Sequence, residues 1–337
     1  MHSRTKVEVD RPTLEALVRD VLGTAQPVTR VQALTEGMYN AAYAVRFADG
    51  TDVVVKVAPP PDAPVLTYEH DLMRAEIGFY RRAAGVIAVP EVLGVDLSRA
   101  RLDRDVFVMQ HLRGVPLTTA KRTLAPAEHA AVQRDLGALV ARLRGVTGDR
   151  FGYDRPDGAL SAVTWADAFG AMLAALLADA DRYGVRLSPA TRRLPELVGA
   201  ARPELDRVRT PVLTHFDLWE GNVFVAPGPG GRRLEAVVDG ERCFWGDPLA
   251  ELASTSLFRD PATATDFLDG FADAAGEQLD LTGDARLRLT LYRAYLYLVM
   301  TVEQAPRGYR GPEALATDRF VRNRLGRELR TLRRLLG

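Results

Sequence analysis

Residues Thr214 to Val225 read Thr-His-Phe-Asp-Leu-Trp-Glu-Gly-Asn-Val-Phe-Val, and this stretch constrains the fold more tightly than any other. The apolar pair Val212-Leu213 enters it and the run Val223 to Val225 leaves it, so two short strands must meet across a tight loop. Inside the loop a carboxylate, Asp217, is followed after four residues by a carboxamide, Asn222. Asp, Asn and Gly between apolar runs are ordinary turn formers. In the spacing H-x-D-x-x-x-x-N, met here by His215, Asp217 and Asn222, they also form a phosphoryl-transfer loop: the Asp accepts a hydroxyl proton and the Asn holds magnesium.

A second pattern follows in the order such a site requires. Leu234-Glu235-Ala236-Val237-Val238 is an apolar strand ending in Asp239-Gly240-Glu241, and Asp239 stands where a second metal ligand belongs. With Phe244-Trp245-Gly246-Asp247-Pro248-Leu249-Ala250-Glu251-Leu252-Ala253, these motifs resemble the aminoglycoside phosphotransferase family. That family includes choline-kinase-like and other small-molecule kinases and shares the protein-kinase-like fold.

The resemblance implies an α+β, bilobal fold. A small antiparallel-sheet lobe with one core helix would span residues 1–112, and a larger, mainly helical lobe residues 113–337, with a hinge at about 109–114. It implies ATP and Mg2+ as cofactors, Asp217 as the catalytic base, Asn222 and Asp239 as metal ligands, and His215 and Glu241 in support. Asp247 would prop the catalytic loop through backbone hydrogen bonds, or cap the helix that begins at Pro248. Gly240 departs from the family, which carries a bulky residue between the metal-binding Asp and the following acid.

The sheet lobe is matched by pattern. Asp10-Arg11-Pro12-Thr13 starts a helix whose apolar residues Leu14, Leu17, Val18, Val21 and Leu22 share one face, and Gly23 ends it. Strands are expected over Val28 to Leu34, Asn40 to Phe47 and Thr51 to Val57, with Asp49-Gly50 as a hairpin turn. The first connection, Thr35-Glu36-Gly37-Met38-Tyr39-Asn40, reads equally as a plain turn or as the loop over the nucleotide phosphates, which would employ Gly37 and Asn40.

Lysine is rare here: only Lys6, Lys56 and Lys121. In Val53-Val54-Val55-Lys56-Val57, strand alternation puts Lys56 on the face of Val54, opposite Val53, Val55 and Val57. The choice is between an edge lysine reaching water and, as in the family, a point charge on the nucleotide phosphates. A helix expected over Tyr68 to Ala84 sets Glu76 beside the apolar stripe of Leu72, Phe79 and Tyr80. A buried carboxylate needs a partner, and Lys56 would supply it, with Glu69 as the rival acid. Strands over Val89 to Val92 and Val106 to Met109 complete the sheet, and the backbone of Met109, Gln110 and His111 at the hinge would read the adenine edge.

From Pro126 onward the pattern is helical, with runs near 127–144, 165–183, 189–201, 248–258, 261–275, 285–303 and 312–336. Pro227 to Gly231 is a hairpin tip. The arginines between Arg319 and Arg334 read as a solvated helix face interleaved with Glu328.

Composition narrows the function. Lys+Arg 44 equals Asp+Glu 44, so no global field recruits nucleic acid or an anionic membrane. The lone Cys243 excludes an internal disulfide framework, and Met1 to Lys6 leads into polar sequence, so a cytoplasmic protein is expected. Nine residue steps from Asp239 to Pro248 leave no room for a peptide-docking activation segment. The expected partner is therefore a small hydroxyl acceptor, with the protein a monomer or homodimer. Glu220, Glu241 and Glu251 favour an aminoglycoside-like polycation, while Trp165, Phe169 and Met172 could line a macrolide pocket. A sugar or an amino alcohol is the further alternative, and a nucleotide-binding pseudokinase is the non-enzymatic one.

Overall fold

The computed structural model describes residues 6, 8–35, 37, 39–155 and 157–337. Helix α1 (Arg11–Leu22) is capped by Asp10, which accepts the Thr13 N–H at 3.0 Å, and it ends at Gly23 in the left-handed region. Strands β1 (Val28–Leu34), β2 (Ala41–Phe47) and β3 (Asp52–Val57), with β4 (Val92–Asp96) and β5 (Val106–Gln110), form an antiparallel sheet in the order β1-β2-β3-β5-β4. Helix α1 packs Leu14, Leu17 and Val18 with Val53, Val55 and Val57 on one face. Val54 joins the core on the other face, beside α2 (Leu72–Ala83). β3 lies between β2 and β5, so Lys56 is central in the sheet and not an edge residue.

Two elements of this lobe differ from expectation by more than a residue. The helix expected from Tyr68 begins at Leu72, because Asp71 takes a left-handed φ of 63° and Tyr68 and Glu69 fall in a separate 3-10 turn, Thr67–Glu69. The strand expected over Val89 to Val92 runs instead over Val92–Asp96, beyond Pro90, which has no N–H for a ladder.

The second lobe opens with β6 (Val115–Pro116), α3 (Leu117–Ala120) and α4 (Pro126–Leu143), followed by β7 (Phe151–Gly152), β8 (Ser161–Ala162) and α5 (Trp165–Arg182). The helix expected over 189–201 is three pieces, α6 (Pro189–Arg192), α7 (Leu194–Ala200) and α8 (Arg202–Leu205), divided where Pro195 and Pro203 enter first turns. β9 (Val212–Thr214) leads into the loop described above, and β10 (Val223–Gly228) and β11 (Gly231–Val237) pair as the expected hairpin. β12 (Phe244–Gly246) pairs with β9 and β7. Helices α9 (Glu251–Thr255), α10 (Thr265–Ala275), α11 (Gly283–Val302), α12 (Gln304–Arg307) and α13 (Pro312–Leu336) complete the chain.

Trp165, Phe169 and Met172 are fully buried on α5 around Tyr292 and Tyr295, so they are core and line no acceptor pocket. On α13, Glu328 turns inward to Arg293 at 3.0 Å and does not interleave with the exposed arginines. Among the described residues no helix is long and apolar enough to cross a membrane.

Candidate active site

The β9–β10 loop is held open by residues on either side of it. Phe216 takes φ 60°, an unusual conformation for a bulky side chain. It is held there by Glu251, whose two carboxylate oxygens accept the N–H groups of His215 at 2.7 Å and Phe216 at 3.0 Å. Ser254 Oγ accepts the next free donor, Leu218 N–H, at 3.0 Å. The propping role expected of Asp247 therefore belongs to Glu251. Asp247 instead accepts from Arg288 Nε at 2.7 Å, Tyr292 OH at 2.8 Å and the N–H of Leu249, which makes it a helix-start cap tied to α11.

His215 joins this loop to the one carrying Asp239. Its Nε2 lies 2.8 Å from the carbonyl of Val238, and its Nδ1 accepts the Asp217 N–H at 3.2 Å. These partners select the neutral tautomer protonated on Nε2, and burial lowers the ring's pKa to about 4. The ring also meets Phe79 of α2 edge-on at 5.0 Å. His215 is therefore a neutral structural link and not a base. Asn222 donates from Nδ2 to the Asp217 carbonyl at 2.9 Å and to Asp217 Oδ2 at 3.3 Å, so its carboxamide oxygen is turned away from both bonds.

On the sheet lobe, Lys56 Nζ donates to Glu76 Oε1 at 2.6 Å and makes a short contact with Asp239 Oδ1. Glu69 is not the lysine's partner: it pairs with Arg307 at 2.6 Å. Tyr80 steadies the group, donating to Glu76 at 2.8 Å and accepting the Asp239 N–H at 3.0 Å. Burial alone would lower the Lys56 pKa, but the Asp239 and Glu76 carboxylates raise it, and Lys56 in turn lowers that of Asp239. Asp239 is itself left-handed, at φ 59°. Glu241 accepts from Asn40 Nδ2 at 2.9 Å across the cleft, and burial, with Glu76 and Asp239 nearby, pushes it up to about 8.

The departure at Gly240 has a steric cause. A Cβ there would stand 2.3 Å from Cδ1 of Phe79, so the α2 aromatic occupies the space that a side chain at 240 would take.

The Asp217 carboxylate is partly open, with its side chain 23% exposed. Burial pushes its pKa up to about 6, opposed by Arg242, whose Nε lies 3.7 Å from Oδ2. Arg242 pairs with Glu303 at 2.7 Å, and Glu303 with Arg307 at 3.2 Å. Neither arginine was anticipated. The one sequence signal for Arg242 is a basic residue between Asp239-Gly240-Glu241 and the apolar Cys243-Phe244-Trp245.

The remaining expected residues do not converge as closely. Met109 and Gln110 end β5 in ladder with Val54 and Val53, and His111 follows half-buried. Glu235 accepts the N–H groups of Arg113 at 3.0 Å and Gly114 at 2.7 Å, pinning the end of that connection. The Gly37 carbonyl accepts from Lys6 Nζ at 3.1 Å, while Glu36 and Met38 of the same loop lie outside the described residues. The three acids expected to attract a polycation all have partners: Glu220 has Lys121 and Arg259, Glu241 has Asn40, and Glu251 has the loop backbone.

Oxygen donors from Asp239 and Asn222, few in number, fit magnesium better than a softer metal. The Asp239 side chain is 33% exposed, and the Asn222 amide nitrogen is spent on Asp217, which leaves its oxygen as the donor.

Comparison with known proteins identifies the family and the fold. The sequence model of the phosphotransferase enzyme family matches residues 30–290. No curated protein matches the chain. Among solved structures, a Thermobifida fusca YX-ER1 protein assigned as a fructosamine-3-kinase is similar at 24% identity and TM-score 0.65, covering 93% of this chain and 98% of that one. An ADP-bound aminoglycoside phosphotransferase is similar at 16% identity and TM-score 0.57, covering 95% and 99%. A macrolide 2'-phosphotransferase from Brachybacterium faecium is similar at 19% and 0.53, covering 93% and 97%. At these identities the likeness to solved structures is one of fold.

Proposed function

The chain belongs to the phosphotransferase enzyme family; on that premise we propose that it is a small-molecule kinase, which transfers the γ-phosphoryl group of ATP, with Mg2+, to a hydroxyl of a small metabolite or antibiotic. The observation that carries this reading is the linkage of two loops. Asp217 and Asn222 are bonded to each other, and His215 ties them to the Val238-Asp239 backbone, where Lys56 and Glu76 converge.

In this reading Asp217 orients the acceptor hydroxyl and takes its proton late in transfer. Asn222 and Asp239 hold Mg2+, which supplies charge neutralisation on the nucleotide phosphates. Lys56, released from Asp239 when nucleotide enters, contacts those phosphates while Glu76 keeps it aimed. Gly37 and Asn40 belong to the loop over the phosphates, and the backbone of Met109, Gln110 and His111 meets the adenine edge. The lobes divide at 112/113, a boundary supported by Glu235 binding the next two N–H groups. A cytoplasmic site of action follows from the nucleotide requirement.

Because Glu220, Glu241 and Glu251 are already engaged, an uncharged sugar fits better as acceptor than a cationic aminoglycoside or amino alcohol. ADP release from Mg-ATP, measured against sugars, amino alcohols, aminoglycosides and macrolides, tests the proposal. Release with an acceptor of one class supports it. ATP binding with no transfer to any acceptor counts against it and favours a nucleotide-binding pseudokinase.

A further inference from the structure

Between β3 and α2 the chain leaves the sheet lobe and lies against the helical one. The Val65 carbonyl accepts from Arg182 Nη2 at 2.9 Å and Tyr183 OH at 2.7 Å. Thr67 donates from N and Oγ1 to the two oxygens of Asp179 at 2.6 and 2.7 Å, and its carbonyl accepts from Arg155 at 2.6 Å. Tyr68 stacks on Tyr153 with ring centroids 5.2 Å apart, and Glu69 reaches Arg307. The segment is thus a second connection between the lobes, far in sequence from the hinge.

Asp179 is the anchor with most at stake. It is 2% exposed on the inward face of α5. A buried carboxylate is costly unless fully bonded, and an apolar residue would stabilise an ordinary helix face as well. Its bonds instead go to the backbone and hydroxyl of one residue in the other lobe, with Arg182 at 2.6 Å as the remaining partner. Such a network fixes one geometry where apolar packing tolerates several. Just past this segment α2 begins at Leu72, and Glu76, one turn in, meets Lys56.

We infer that Asp179 is a positioning residue for the nucleotide site: through Thr67 it fixes where α2 starts, and so where Glu76 holds Lys56. This rests on the reading of Lys56 as a ligand of the nucleotide phosphates. Asp179 touches neither nucleotide nor acceptor, so its effect must pass through Glu76.

The test is a double-mutant cycle read as the dissociation constant for Mg-ATP in the full-length protein, with the melting temperature recorded alongside. Asp179→Ala is expected to weaken Mg-ATP binding roughly tenfold, and to add nothing further in a Glu76→Gln background. Thr67→Val, which removes only the hydroxyl, is expected to move affinity in the same direction and carries the test if Asp179→Ala does not fold. If Glu76→Gln weakens binding while folded Thr67→Val and Asp179→Ala only lower the melting temperature, Asp179 is merely structural and the inference is overturned. Additive effects on affinity would overturn it as well. If Glu76→Gln itself leaves affinity unchanged, the reading of the nucleotide site fails, and the inference with it.

Discussion

Glu251 accepts the Phe216 N–H at 3.0 Å and so holds a bulky residue at a φ of 60°, one position before Asp217. Backbone strain of this kind costs of order 1–3 kcal/mol and persists only where neighbours over-determine it. The orientation of Asp217 is therefore set from α9, on the far side of the loop.

Glu251→Gln retains one acceptor oxygen in place of two and leaves one loop N–H unpaired. The expected cost is about 1–3 kcal/mol in stability, with a larger fractional loss of kcat than of nucleotide affinity. Denaturant unfolding together with steady-state kinetics checks it. Equal losses in both kinetic quantities would show that Glu251 acts on more than the loop.

Asp247 makes the opposite case. Asp247→Ala strands Arg288 and Tyr292, and breaking a partly buried pair of this kind costs about 3 kcal/mol. No bond from Asp247 reaches the loop, so the folded fraction is expected to keep near-normal kcat. Thermal melting and active-site-normalised turnover separate the two effects.

Much of this was legible in the sequence. Period-2 alternation placed Lys56 on the α2 face of β3, and the need of a buried carboxylate for a partner led to Glu76. The order of Asp217, Asn222 and Asp239 gave the loop pair. The cap at Asp247 was one of two roles its place before Pro248 offered, but that Glu251 props the loop was not legible, because both acids sit in one short apolar stretch and only the path of the chain decides which faces the loop. The Arg242–Glu303 pair joins residues 61 apart, and no local pattern signals it. Nor does spacing reveal that Glu69 belongs to Arg307, since Asp71 breaks the helix that would have placed Glu69 on the stripe of Glu76.

Gly240 is required by its neighbour. Gly240→Ala drives a methyl group to 2.3 Å from the Phe79 ring, and overpacking of this kind costs about 1–3 kcal/mol. Because Asp239 adjoins it, Mg-ATP affinity is expected to fall too. Phe79→Leu in the same chain should restore part of both losses, and unfolding and calorimetric titration of the single and double variants measure this.

His215 gives a pH signature. Its ordinary pKa of 6.5 is lowered by burial to about 4 in the fold. Between those values the unfolded chain binds the proton and the folded chain does not. The contribution is therefore complete above pH 6.5 and is lost as pH falls toward 4, by about 3 kcal/mol. In unfolding free energy measured against pH, the gap between wild type and His215→Gln should narrow across that window. The raised carboxyls of Asp217, Glu241 and Glu251 are common to both proteins and cancel. A gap independent of pH would mean that His215 is not buried neutral.

The most direct test of the account is Asp217→Asn, a change that keeps the shape of the side chain and removes its capacity to take a proton. With Mg-ATP and an acceptor identified from the panel, kcat is expected to fall by at least about 100-fold. The dissociation constant for Mg-ATP should stay nearly unchanged, since Lys56, Asn222 and Asp239 are intact. Turnover at the wild-type rate would contradict the assignment of Asp217 as the base, and with it the proposed mechanism.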